Sequence, residues 1–456
     1  MQEREGARRV TECTGQIALF SIGRRKVTVE SNGTFITSNA GVLLASRIER
    51  RLGLAKRLGE LLKDDREPNY VVHSYESQIR QRLLQIVCGY EDCNDATTLR
   101  YEPAFQTAMG RVAGTEEAVL ASQPTLSRFE QRSRADVLRA SEELLDVWTE
   151  GQVRNQRRTG NEIVLDFDGT DAETHGAQQL SMFHGYYDQY MYHPLLVFDG
   201  EGWPVAMVLR PGRAHASAGA TSVLLRIYDR IAHRLSSKTS VSLRADAGFA
   251  VPEMYALCET LDIRYTVGQN SHATYKQHAD ELLGEARRQY QETGHKVRLF
   301  TEFRYRAETW NRDRRVICKV EVMPEGENVR FVLTNIEDLT PEQVYDFYTG
   351  RGQSENHIKD LKNAMFGDRM SCSSFYANQF RLLLHAAAYM IAFELRRELA
   401  DTALASAQLD TLRLKLLKIG ACIVVTARRV WVRLSQFDPS TALFEQVSRR
   451  LSAAPT

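Results

Sequence analysis

A long stretch of helical hydrophobic period gives way to a period of two near residue 160, and that change limits this chain to a few architectures. From 41 to about 148, apolar residues recur at helical spacing: Leu43, Leu44, Ile48, Leu52 and Leu54 in one run, then Ile79, Leu83, Leu84 and Val87. Downstream the period falls to two, with Ile163 and Leu165 on one face of a strand. A hairpin is expected to join 195–199 to 205–210 around Asp199-Gly200, followed by a helix over 220–235, a strand over 240–245 and a helix over 252–261. Strands and helices in this order predict a mixed α/β sheet beside a helical region. Strands at 297–307, 315–323 and 329–335 then follow without a helix between them, which predicts a β-rich insertion before the next long helix, 341–363. An apolar helix over 378–399 and a short basic tail close the chain. The first forty residues read as a small β element, with strands at 16–22, 26–30 and 34–37 and Asn32-Gly33 as a turn, and the polar 151–161 stretch reads as a linker. The expected units are 1–40, 41–150, 160–264, 265–340, 341–400 and 401–456, which 456 residues can accommodate.

Charge narrows the function less than pattern does. Lys and Arg number 59 against 58 Asp and Glu, a net charge of +1, so any basic surface must be local. The basic residues cluster at Arg24-Arg25-Lys26, 154–158, 312–315, 413–418 and Arg428-Arg429, which suits a phosphate-facing side but equally a solvated one. The cysteines are seven, scattered, and form no C-x-x-C pair, which argues against a zinc site and for a reducing compartment. No apolar signal core opens the chain, and the most apolar stretch, 382–393, contains His385 and is too short to span a bilayer. The expectation is a soluble cytoplasmic protein without membrane contact.

The densest chemical signal is Tyr348, Arg351, Glu355 and Lys362, at spacings of three, four and seven that place all four on one helical face. Alone, Arg351 and Glu355 would be an i,i+4 pair contributing about 0.3–0.5 kcal/mol. Two more acids change that reading. Asp168 ends an apolar strand before Gly169-Thr170, and Asp246 ends another before Ala247-Gly248. One such Asp is usually a turn or cap. Two on neighbouring strands, with a Glu on a flanking helix, match the oxygen-only ligand set that Mg²⁺ prefers, and two such ions can drive an in-line phosphoryl displacement. Asp166 shares a strand face with Asp168 and rivals it; Asp168 is preferred because it sits at the strand end. Arg351 as a fork, Lys362 as a point charge and Tyr348 through its hydroxyl could grip phosphate oxygens.

With those residues in place the chain resembles bacterial DDE transposases. Tyr-x2-Arg-x3-Glu-x6-Lys is the signature around the catalytic Glu of the insertion-sequence 4 superfamily, complete here as Tyr348, Arg351, Glu355 and Lys362. The wider text resembles the insertion-sequence 1380 group: Gly89-Tyr90-Glu91-Asp92, the run from Ser122 to Arg128, Asp166-Phe-Asp168-Gly-Thr, His175-Gly176, Leu209-Arg210-Pro211-Gly212, Arg244-Ala-Asp246-Ala-Gly248 and Lys418-Ile-Gly420. The similarity runs from about residue 40 to 435. It implies an RNase H-like catalytic core interrupted by the β-rich insertion, with Asp168, Asp246 and Glu355 holding two Mg²⁺ ions (Mn²⁺ as a substitute). It also implies a helical N-terminal region that binds terminal inverted repeats, action on target DNA, and a homodimer on DNA. Relatives that pass through a DNA hairpin carry a Trp four residues before a Thr in the last insertion strand. Counting back from Thr334 gives Arg330 here, which leaves hairpin chemistry open. Trp310 is a possible substitute as a base-stacking ring, or else an apolar plug.

DNA contact by the N-terminal region rests on Arg128, Arg132, Arg134 and Arg139 around a helix start, which could track phosphates or simply face water. Two rivals remain: a stand-alone nuclease of the RNase H-like fold, which would need no large helical region, and a transposase-derived repressor, which would be expected to have lost at least one of the three acids.

Overall fold

The computed structural model describes residues 16–30, 35–159, 162–236 and 239–453. The expected Asn32-Gly33 turn lies outside them. A hairpin of β1 (Gln16–Ile22) and β2 (Arg25–Glu30) precedes β3 (Phe35–Thr37). The helices then follow as α1 (Val42–Leu52), α2 (Leu54–Leu61), α3 (Tyr75–Val87), the short α4 (Ala96–Leu99) and α5 (Pro103–Ala108), α6 (Gln123–Glu130) and α7 (Arg134–Thr159). Ser74 caps α3 by accepting from Ser77 N at 3.2 Å.

Residues 151–159 of the expected linker are instead the last turns of α7, and 160–161 lie outside the described residues. Gln152 donates Nε2 to Asp199 Oδ2 at 3.0 Å, and the turns just before it are laced to neighbours: Arg57 of α2 pairs with Glu143 and Glu150, and Arg230 and Arg234 reach Asp146. No Pro interrupts 134–159, so nothing in the backbone stops the helix there.

Beyond it come β4 (Glu162–Gly169), a small group of β5 (Ala172–Glu173), β6 (Met182–His184) and β7 (Gln189–Tyr192), then β8 (Leu195–Asp199), β9 (Pro204–Val208), α8 (Ala220–Arg234), β10 (Ser240–Ala245), α9 (Pro252–Thr260), β11 (Arg264–Gln269) and α10 (Ala273–Thr293). The chain continues through β12 (Val297–Tyr305), β13 (Arg314–Met323), β14 (Gly326–Thr334), α11 (Pro341–Thr349), α12 (Gly352–Lys359), α13 (Phe375–Arg397), α14 (Leu409–Leu412), β15 (Ala421–Val425), β16 (Val430–Leu434) and α15 (Thr441–Ala453).

One eight-stranded mixed sheet organises the molecule, in the order β12-β13-β14-β11-β10-β4-β8-β9. β4, β10 and β11 run parallel, and the other pairings are antiparallel. The three strands expected as an insertion are present and extend this same sheet, because β14 pairs with β11 from Thr266↔Thr334 to Gln269↔Phe331. On one side α10 covers them through Tyr275, Ala279 and Ala286; on the other α11 packs Val344 and Tyr345 on Ile317 and Val332.

The helical region does not stand apart from the sheet. α13 is buried almost end to end and contacts α1, α3, α7 and β9, so residues of 41–150 and of the sheet share one hydrophobic core. Buried charge reinforces the junction: Glu130 of α6 accepts from Arg82 of α3 at 2.8 Å and from Arg381 of α13 at 2.6 Å. Segments distant in sequence also meet, since β3 joins β15 and β16 in a three-stranded sheet. Among the described residues no helix is long and apolar enough to cross a membrane.

Candidate active site

Strand alternation sets the acids. Leu165 and Phe167 of β4 point into the core, where Phe167 packs on Phe249, and Asp166 and Asp168 point to the opposite face. β10 lies beside β4 in parallel register, with Ala245 opposite Phe167, so Asp246 follows Ala245 as Asp168 follows Phe167. Both acids also serve the local turns: Gly169 N donates to Asp168 Oδ1 at 3.0 Å and Gly248 N to Asp246 Oδ1 at 2.8 Å. Each therefore uses one oxygen locally and keeps another for the site.

Asp166 has no such freedom. Both its oxygens accept from Arg244, Nε at 2.6 Å and Nη2 at 2.7 Å, and the pair is buried. Arg244 then donates Nη1 to the Phe347 carbonyl at 3.3 Å, linking the sheet to the helix above it. The guanidinium lies where a Cβ on Gly350 would sit, so only glycine fits at that point.

The helix expected over 341–363 is two segments meeting at Gly350-Arg351 and ending in a π turn at Asp360–Ala364. Thr340 and Gln343 close a capping box at its start. At the junction the ladder tightens, with Arg351 N to Tyr348 O at 3.1 Å and Ser354 N to Arg351 O at 2.8 Å. Arg351 bridges two of the acids, donating Nη1 to Asp168 Oδ2 at 3.0 Å and Nη2 to Glu355 Oε1 at 3.4 Å. The Tyr348 hydroxyl lies over Gly268 of β11, where an added Cβ would meet it at 2.7 Å. Lys362 turns toward Asp171, three residues past Asp168, at 2.8 Å from its Oδ1. The single expected face is thus kept by Tyr348, Arg351 and Glu355, and Lys362 flanks it.

Burial pushes the Asp168 carboxyl up to about 7; the guanidinium of Arg351 opposes this, and the charges of Asp246 and Glu355 add to it. This cluster of acids is held together by a cation. The donors are all oxygens, as a hard divalent ion requires. Among the described residues no three Asp, Glu, His or Cys side chains are spaced to enclose a metal, and here Arg351 spans the gap between Asp168 and Glu355. The residues fit metal binding in kind, with Arg351 having to rotate off Asp168 to admit it.

The other expected residues are dispersed. Arg330 is exposed on β14, on the strand face of Val332 beneath α11, and its charge acts on Tyr345 and Tyr348. Arg128 is exposed on α6. Trp310 is only 8% exposed, edge-on to Tyr255 and Tyr305 at 5.7 and 5.6 Å and under Arg314, so its ring is placed as the apolar plug rather than on the surface. Sequence reading missed Arg244 and Asp171. The Arg-Ala-Asp and Asp-Gly-Thr-Asp strings contain both, but only the fold pairs them with Asp166 and Lys362.

The site is thus a mixed sheet with acids at the carboxyl ends of two adjacent parallel strands, and an Arg and a Glu laid over them by a helix. A family model described as "Transposase DDE domain group 1" matches residues 20–456. The chain belongs to this family of DDE transposases, enzymes of DNA transposition that cleave and transfer DNA. A comparison with curated proteins finds no match. Among solved structures, the cryo-electron microscopy structure of piggyBac transposase in a synaptic complex with hairpin DNA is similar over 91% of this chain and 82% of that one, at 12% identity and a TM-score of 0.40.

Proposed function

We propose that this transposase binds the terminal inverted repeats of its own insertion sequence and performs strand cleavage and strand transfer at Asp168, Asp246 and Glu355, in the manner of the insertion-sequence 1380 group, on an RNase H-like core. The carrying observation is the in-register pair Asp168 and Asp246 with Arg351 and Glu355 above it. Asp168, Asp246 and Glu355 would hold two Mg²⁺ ions, or Mn²⁺ in their place, which activate the attacking oxygen and stabilise the leaving one. Arg351, released from Asp168, presents its fork to a non-bridging phosphate oxygen, Tyr348 offers a hydroxyl, and Lys362 contributes a point charge. Arg330 and Arg128 extend the contact along the backbone. The enzyme acts as a homodimer on DNA, one site for each end, and residues 41–150 contribute the recognition of the repeats.

The test is a labelled fragment carrying the element's ends, incubated with the protein and Mg²⁺. Wild type yields discrete nicked and joined products. Asp168→Asn, Asp246→Asn and Glu355→Gln each abolish them while end binding persists, because binding rests on contacts elsewhere. Full cleavage by Asp168→Asn together with its loss in Asp166→Asn would overturn the assignment of the first acid. Binding without cleavage by wild type would favour the repressor reading.

A further inference from the structure

Between β4 and β8 the chain makes the small sheet β5-β7-β6, whose turn carries rings that the site above does not use. The turn at 185–188 is closed by Asp188 N to His184 O at 2.8 Å, with Asp188 at φ +53°. It is fixed beside the acidic cluster: Gln189 Nε2 donates to Asp171 Oδ2 at 3.1 Å, while the other oxygen of Asp171 accepts from Lys362.

From the catalytic strand outward the rings form a stair. The His193 ring rests against Gly169, the residue after Asp168, where an added Cβ would meet Nε2 at 2.9 Å. His184 lies 5.7 Å from His193, Tyr187 lies 5.1 Å from His184, and Tyr186 stands edge-on to Tyr187 at 5.0 Å. Tyr186 is 85% exposed, and the nearby Tyr190 is 61% exposed. Isolated surface aromatics need no explanation, but several on one short turn beside an acidic centre do. Arg213 Nε donates to the Phe183 carbonyl at 3.2 Å, which places a guanidinium without a carboxylate partner among the described residues beside the same sheet. Free ring faces next to a cation suit a nucleotide, whose base stacks and whose phosphate pairs.

We infer that the 182–192 hairpin is a stacking platform, with Tyr186 as its outer ring, that takes an unpaired base of a DNA strand lying across Asp168 and Asp246. This deepens the strand-transfer reading and rests on it. The platform would hold single-stranded DNA irrespective of sequence, since every base has a face to stack.

The test uses full-length protein without divalent metal and a short oligodeoxythymidine carrying one central 2-aminopurine. Wild type should bind it and quench the fluorophore. Tyr186→Ala should bind about tenfold more weakly, within the range expected for one stacked base, and lose the quench. Tyr186→Phe should behave as wild type. Because Tyr186 is exposed, an unchanged melting temperature accompanies the loss. Equal binding and quench in Tyr186→Ala, no binding by wild type, or a Tyr186→Ala defect confined to self-association in sedimentation would each overturn the platform. Metal-dependent cleavage of end fragments is measured in parallel. Wild-type cleavage with an indifferent Tyr186→Ala overturns the platform alone, whereas intact stacking without any wild-type cleavage overturns the strand-transfer reading alone.

Discussion

The Asp166–Arg244 pair offers a way to separate stability from positioning. Its side chains are 3% and 10% exposed, and Arg244 also holds the Phe347 carbonyl at the base of the helix that carries Arg351 and Glu355. Removing one partner of a buried pair typically costs about 3–5 kcal/mol, whereas replacing both with apolar side chains of similar volume is close to neutral. Asp166→Leu and Arg244→Met should therefore each lower stability by about that much, and the double variant should recover most of it. The double variant still lacks the anchor on Phe347. A hydrogen bond from a charged donor is worth about 1.5–3 kcal/mol, so if that energy holds the helix in its working position, cleavage should fall about ten- to a hundredfold. Urea unfolding of the four proteins gives the coupling, and cleavage of labelled ends per folded molecule gives the positioning effect. Additive destabilisation, or a double variant that cleaves like wild type, would refute the reasoning.

Two further outcomes follow from the buried charges and rings. Glu130 is held down to about 2 against its ordinary value of 4.5, burial opposing the change and Arg381 and Arg82 driving it. A depressed carboxylate stabilises fully above its unfolded value, so about 3 kcal/mol is present above about pH 4.5 and is lost as pH falls toward 2. Acid titration of unfolding should show the stability gap between wild type and Glu130→Gln, open at neutral pH, closing across that window; a gap that stays constant with pH would remove Glu130 from the account. Trp310→Ala should destabilise by about 3–5 kcal/mol, as truncation of a packed aromatic does, and leave the relative rates of successive strand steps unchanged once folded protein is counted. A selective defect after the first nick, measured by product sizing, would return the ring to the mechanism.

How much was legible depended on whether a residue's partner lay in its own segment. β4, β8 to β10 and β12 to β14 followed from alternation, as did the placing of Asp168 and Asp246 at neighbouring strand ends, because a strand's pattern is local. α10 escaped notice because its buried side is Tyr275, Ala279 and Ala286, a stripe with little apolar mass in an otherwise polar run. The end of α7 was hidden because its residues are polar and a polar run reads as loop; the hydrogen bond from Gln152 to Asp199 is made to a strand far away in sequence. Asp166 and Asp168 share a strand face, and the preference for Asp168 rested only on its place at the strand end. What the strand pattern could not show is Arg244, whose fork takes up both oxygens of Asp166.

The strands expected as an insertion acquire a role from being continuous with the sheet. α11 rests on Ile317 and Val332, from β13 and β14, while its carboxyl end is tied to β10 through Arg244. The two Asp residues are fixed by β4 and β10, so their spacing depends only on a parallel register. Glu355 and Arg351 instead take their position from a helix seated partly on the added strands. Glu355 is thus positioned through β13 and β14, and Asp168 and Asp246 through β4 and β10. Arg351, bridging Asp168 and Glu355, ties that helix back to the end of β4.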